Sequence, residues 1–189
     1  MFPRTKSWLV PCSLVTVVML LSTSSRGQEP EVIQAHAFGT TTMAGRSFNV
    51  TIRIESYSTP EDQKALIDAF NQGGHDALVD TLSKMKSRGR VGVTGNLGYQ
   101  IAYVRSISTE KGRTIRIITD RPINIGEAMY STRSKDYDLS LLELHLANDK
   151  DKHSGSLIVG GRFRVNKQKQ IEFETYHASP WRLAGIMER

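Results

Sequence analysis

Ser47-Phe48-Asn49-Val50-Thr51-Ile52-Arg53-Ile54-Glu55 is the stretch on which the fold class turns. Phe48, Val50, Ile52 and Ile54 alternate with Asn49, Thr51, Arg53 and Glu55. Successive side chains of a strand point to opposite faces, so this period of two predicts one buried face and one wet face. Val32–Phe38 reads as a weaker partner strand, across a turn-like segment between Gly39 and Gly45.

Beyond Glu55 the period changes. Thr59 suits a helix N-cap, Pro60 the first helical position, and Asp62 completes a box-like spacing. Leu66, Ala69 and Phe70 then share a helical face, which predicts a helix over Pro60–Gln72, stopped by Gly73-Gly74. Leu78, Val79, Leu82 and Met85 predict a second helix over His75–Ser87. Lys84, Lys86 and Arg88 suit its negative C-terminal end, and Gly89 stops it. The expectation is an αα-hairpin over about residues 60–88.

The remainder reads as β. Tyr99, Ile101 and Tyr103 alternate, Glu110-Lys111-Gly112 turns the chain, and Thr114–Thr119 returns it. Leu142, Leu144 and Leu146 share a face, while the Leu139-Leu141 pair is out of phase and implies a bulge near Leu141-Leu142. Further strands are expected around Leu157–Val165, Ile171–Tyr176 and Trp181–Met187. Ile125–Tyr130 fits a helical turn or an edge strand. Short polar turns favour antiparallel neighbours. The expected fold class is therefore α+β: a mostly antiparallel β meander of about seven to eight strands, as a curled sheet or partial barrel, with an inserted αα-hairpin.

The N-terminus carries a different message. Arg4 and Lys6 lead into an apolar run from Trp8 to Leu21, and small polar residues follow to Gly27. That is the three-part plan of a secretory signal peptide over residues 1–27, with cleavage expected after Gly27 and Ser24 as the alternative. The apolar run, broken by Pro11, is too short for the roughly 20 residues of a spanning helix. Residues 28–189 then form a single exported domain, periplasmic or extracellular. Cleavage removes Arg4, Lys6 and Arg26 but no acid, which lowers the formal charge from +6 to +3. So small a charge on an exported chain gives no case for nucleic acid. The single cysteine, Cys12, departs as well, so disulfides, thiol catalysis and cysteine-based metal sites are excluded from the mature domain.

Three stretches, Ile118-Thr119-Asp120-Arg121-Pro122-Ile123, Asp136-Tyr137-Asp138-Leu139 with Leu142-Glu143-Leu144, and Ile171-Glu172-Phe173-Glu174 with Pro180-Trp181-Arg182-Leu183, together resemble a group of small secreted bacterial proteins. The resemblance runs over most of the mature chain, including the helical hairpin. It implies an exported bacterial setting and one domain. No activity is assigned to that group, so it implies no functional residue.

Chemistry-bearing patterns are sparse. The histidines show no helical i, i+4 pair, so no metal site is expected, and no cofactor motif is present. Asn148–His153 alternates acids with lysines, but counting from Asp149 neither the glycine nor the final carboxylate of a calcium loop falls in place. Gly89–Gly95 lacks the strand–loop–helix setting of a phosphate loop and reads as a mobile connection. If it covers a pocket, Arg88 and Arg90 are its anion handles. Tyr99 and Tyr103, on one strand face, are the candidates to line such a pocket. Glu143 and His145, two apart on a strand, share a face, and with Asp136 they are the candidate catalytic groups. The expected function is a non-enzymatic exported protein that binds a protein partner or a small apolar ligand. The alternative is an envelope or extracellular hydrolase with a site assembled from dispersed polar residues.

Expressed with its own leader and recovered from the exported fraction, the protein is expected to begin at Gln28 and to weigh what residues 28–189 weigh. Recovery of the intact 189-residue chain would reject the signal-peptide reading.

Overall fold

A computed structural model describes residues 29–94, 97–123, 138–165, 171–175 and 179–189. The expected leader, the ambiguous Ile125–Tyr130 stretch and Asp136 lie outside them. Nine strands and one α-helix make up the described architecture: β1 (Glu31–Phe38), β2 (Ser47–Ile54), α1 (Pro60–Lys84), β3 (Gly89–Val93), β4 (Tyr99–Thr109), β5 (Gly112–Thr119), β6 (Leu139–Ala147), β7 (Ser154–Val165), β8 (Ile171–Thr175) and β9 (Trp181–Glu188).

Each strand from β1 to β7 pairs antiparallel with the next. β9 then pairs with both β7 and β1, closing an eight-stranded barrel. β8 hairpins from the far end of β7 and lies outside the ring. The sequence patterns support a curled sheet or partial barrel; the pairing of β1 with β9 makes the closure complete. That contact joins the two ends of the domain, and local alternation carries no trace of it.

Alternation decides what lies inside. Ile33, Ala35 and Ala37 of β1, Val50, Ile52 and Ile54 of β2, Ile115 and Ile117 of β5, and Leu142, Leu144 and Leu146 of β6 all belong to one buried cluster. Eight-stranded barrels have interiors about wide enough for side chains to fill. Space runs out where β6, β7 and β9 meet. A Cβ at Gly155 would lie 2.7 Å from the Glu143 carbonyl oxygen and 3.0 Å from Leu144 Cδ2, so only glycine fits there.

A second cluster lies on the other face of the wall. Ile118, Leu141 and Tyr103 are each one residue from an inward-facing neighbour, and they pack with Leu66, Phe70, Leu78 and Leu82 of α1. The helix therefore covers the outside of the barrel beside β4 to β7. Its start is as expected. Thr59 Oγ1 accepts from the Asp62 amide at 3.2 Å, and Asp62 Oδ2 accepts from the Thr59 amide at 2.8 Å.

The two expected helices form one kinked element rather than a hairpin. Helical geometry is lost only at Gly73 (φ −140°) and Gly74 (φ 67°), and the chain resumes the helix at once. Glycine adopts that positive φ at little cost. Just past the kink, the buried His75 ties α1 to the wall. Its Nε2 lies 2.8 Å from Asp138 Oδ1, and its Nδ1 accepts from the Phe163 amide at 3.2 Å. A backbone N–H only donates, so Nδ1 is the unprotonated nitrogen and Nε2 carries the proton.

Gly89–Val93 corrects a second expectation. It is a ladder strand, β3, in register with β2 from Val50 against Val93 to Ile54 against Gly89. Its glycines look like loop chemistry because a Cβ at Gly89 would sit 2.0 Å from the Arg53 carbonyl oxygen. Gly89 serves close backbone approach instead. The bulge expected in β6 near Leu141-Leu142 is not there: β6 alternates regularly, and the register shift between Leu139 and Leu141 places the extra residue on β7, between Ile158 and Gly161.

Leu144→Ala, fully buried in the barrel, is expected to cost about 2–5 kcal/mol in urea unfolding. Leu97→Ala, 93% exposed beside β4, is expected to stay within about 0.5 kcal/mol. Equal effects would contradict the assignment of the interior.

Candidate functional sites

The sequence-derived candidates separate in space. Tyr99 is buried in the barrel cluster, while Tyr103 packs in the outer cluster beneath α1. They do not share a face, because the β4–β5 register shifts between Ile101 and Tyr103 and inverts the alternation. Arg88 is held against Asp62 and Ser56 at the start of α1. Arg90 Nη1 donates to the Leu97 carbonyl at 2.9 Å, bracing the β3–β4 hairpin. The two arginines therefore serve different local structures.

Glu143 and His145 do come together, on the outer face of β6. His145 Nε2 lies 3.1 Å from Glu143 Oε1, and His145 Nδ1 lies 3.1 Å from Thr114 Oγ1 on β5. Arg116 Nε donates to Glu143 Oε2 at 2.5 Å. Thr114 faces His145 and Arg116 faces Glu143 in register, so the four side chains form two adjacent cross-strand rows. Asp120 is elsewhere, accepting from the Gln100 amide at 3.1 Å.

The most connected polar group is one the sequence does not announce. Glu31, Arg113 and Glu188 each lie two residues from a buried inward-facing isoleucine, namely Ile33, Ile115 and Ile186. They therefore meet at one barrel mouth. β5 is four strands from β1 around the ring, so Arg113 spans the mouth from the opposite wall. Arg113 Nη2 lies 2.5 Å from Glu31 Oε1 and 3.0 Å from Glu188 Oε2, and Nη1 lies 3.3 Å from Glu31 Oε2. Tyr57 donates its hydroxyl to Glu31 Oε2 at 2.7 Å. His153 Nε2 is 3.6 Å from Glu188 Oε1, and its buried Nδ1 has no hydrogen-bond partner among the described residues.

Two titrations record this packing. Burial raises the Tyr57 phenol well above its ordinary range, the hydrogen bond and charge of Glu31 add to that, and Arg113 offsets part of it. For Arg113, burial opposes the charge, but the hydrogen bond and charge of Glu31 and the charges of Tyr57 and Glu188 together raise it. The opposite mouth is aromatic: Phe48 and Trp181 meet edge to face at 4.9 Å, and Arg121 lies over the Tyr99 ring at 5.4 Å. There the buried Ser140 hydroxyl donates to the Val159 carbonyl at 2.8 Å and accepts from the Ile123 amide at 2.7 Å.

Open space lies on the outer wall. A recess of about 200 Å³ is lined by Gln34, His36, Asn49, Thr51, Gly185 and Met187, among others. It shares His36, Gly185 and Met187 with a wider groove of about 670 Å³ that reaches Lys150, Asp151, His153 and Arg189. Among the described residues no group of three or more metal-ligating side chains converges, and no helix is long and apolar enough to cross a membrane. In comparisons with known proteins, the chain matches no protein-family model, no curated protein and no solved structure.

Arg113→Met is expected to cost about 2–3 kcal/mol, less than a fully buried pair because about a third of the Arg113 side chain is exposed. Arg113→Met combined with Glu31→Leu should recover part of that loss, because no carboxylate is then left facing a methionine. Urea unfolding reads both. Tyr57 adds a pH dependence whose sign is set by its raised folded value. Its contribution is complete below the phenol's ordinary 10.0 and is lost as pH rises through the higher folded value. Stability measured from pH 8 to pH 12 should therefore fall more steeply in the parent than in Tyr57→Phe.

Proposed function

We propose that this is an exported binding protein that engages a protein partner on the outer face of β1, β2 and β9. The observation that carries this reading is where space is left. Among the described residues twenty-two buried side chains form the barrel cluster, whereas the recess and groove open on the outer wall. Barrels that hold a small apolar ligand keep it inside, in a cavity lined by inward side chains. Here those positions are spent on the core, so of the two partner types expected from sequence a protein is favoured.

The floor of the recess has matching chemistry. Gln34 faces Thr51 and His36 faces Asn49 in register. Their side chains have no hydrogen-bond partner among the described residues, which leaves an array of donors and acceptors. Met187, 50% exposed, supplies an apolar anchor beside it. Lys150, Asp151 and Arg189 place both signs of charge around the wider end. An extended polypeptide suits this mixture, with its amides over the polar floor and one apolar side chain against Met187. The wall is apolar inside and carries charged side chains outside, the reverse of a membrane-spanning barrel. That distribution and the three-part N-terminus both support an exported, wet setting.

The mature domain has no cysteine of its own, so Thr51→Cys and Met187→Cys each give a single thiol in the recess. Glu110→Cys, at the exposed β4–β5 turn, is the control. With a thiol-reactive photocrosslinker in the exporting host, the recess positions are expected to give an adduct of discrete mass and the control none. Equal adducts from all three positions, or a small molecule retained in native mass spectrometry, would reject the reading.

A further inference from the structure

The side-chain rows on β5 and β6 lie across the ring from the recess and are not explained by partner binding. Glu143 is 25% exposed and is held by Arg116. An ionised carboxylate only accepts, so the His145 nitrogen facing it, Nε2, carries the proton in the neutral ring. Nδ1 is then the lone-pair nitrogen, and it faces the Thr114 hydroxyl at 3.1 Å. Hydroxyl, imidazole and carboxylate thus stand in the order and hydrogen-bond sense of an activated nucleophile with its base and orienting group. The ring nitrogens are used in the reverse sense to a serine protease, which the near-symmetric imidazole tolerates. Arg116 places a positive charge on the same face, two residues from Thr114.

We propose that Thr114 is a nucleophile toward small activated acyl esters, with His145 as its general base and Glu143 as a positioning residue. Thr114 Oγ bonds to the acyl carbon while its proton passes to His145 Nδ1. The bond from that carbon to the leaving oxygen breaks, and the imidazolium returns the proton to the departing alcohol. Water then attacks the acyl-threonine, its proton passing through His145. A carboxylic acid leaves and the Thr114 hydroxyl is restored. Arg116 offsets the charge that builds on the carbonyl oxygen at both additions. The open face admits water freely, so the second step needs no further group.

The probe is p-nitrophenyl acetate, followed by release of the phenol and by peptide mapping of the quenched protein. A burst with one acetyl group on the peptide carrying Thr114 is expected. Thr114→Val and His145→Ala should each lower the rate by about 10²-fold or more. Thr114→Ser should retain the activity, and Glu143→Gln should lower it while shifting the pH profile of the rate. Thermal midpoints near the parent's in all variants would show that folding is not what is being read. Acetylation confined to lysines, turnover that survives Thr114→Val, or no rate above buffer would each overturn the proposal. Leu97→Ala, 93% exposed and outside both faces, should leave the ester rate unchanged, and because the ester rate reads β5 and β6 while crosslinking reads the recess, failure here is separate from failure there.

Discussion

Closure of the wall is the constraint on which the other features depend. A sheet of this length could remain open, with β1 and β9 as two exposed edges. Pairing them removes both edges and turns every inward residue into core. One mouth is then fastened by the Arg113 guanidinium, which reaches from β5 to Glu31 on the far wall and to Glu188 on β9. Glu31 and Glu188 sit at the start of β1 and the end of β9, at the seam itself. The ion pairs therefore act where an eight-stranded ring would first reopen. Their net worth is modest in water-facing positions. Their specificity is larger, because a slipped seam would leave two carboxylates without their cation.

With Cys12 as its single cysteine, the chain has no internal disulfide and has to hold itself by burial. The chain meets that need with two cores separated by a single wall, one inside the barrel and one beneath α1. Strand residues therefore alternate between two apolar environments near the helix, and between apolar and wet environments elsewhere. Leu139-Leu141 falls out of phase with Leu142 for this reason, since Leu139 and Leu141 belong to the helix-facing core and Leu142 to the barrel. His75 is the polar pin between the layers, saturated by a carboxylate and a backbone amide.

What was legible in the sequence followed from local period. β2 could be read residue by residue, the Thr59–Asp62 box gave the start of the helix, and Glu143 and His145 were correctly placed on one face. Features set by long-range contact were not legible. Ring closure joins residues 33 and 188. β3 was hidden by its glycines, of which Gly89 makes room for the backbone of β2. Tyr99 and Tyr103 were parted by a register shift that no residue type marks. The helical hairpin failed for a subtler reason: Gly73-Gly74 supplies the expected break, but a break in helical geometry fixes a kink, not a reversal. Arg113 left no signal, because a charged residue near a turn is ordinary until its inward parity is known.

The two outer faces differ in what they leave unsatisfied. On β5 and β6, Thr114, His145, Glu143 and Arg116 hydrogen-bond one another, so the face is chemically organised without a ligand. On β1 and β2, Gln34, His36, Asn49 and Thr51 stand equally close in register yet pair with nothing described. Organisation of the first kind holds the side chains in fixed orientations. Vacancy of the second kind leaves hydrogen-bonding capacity unspent. The barrel separates the two by its own diameter, with the buried cluster of inward side chains between them.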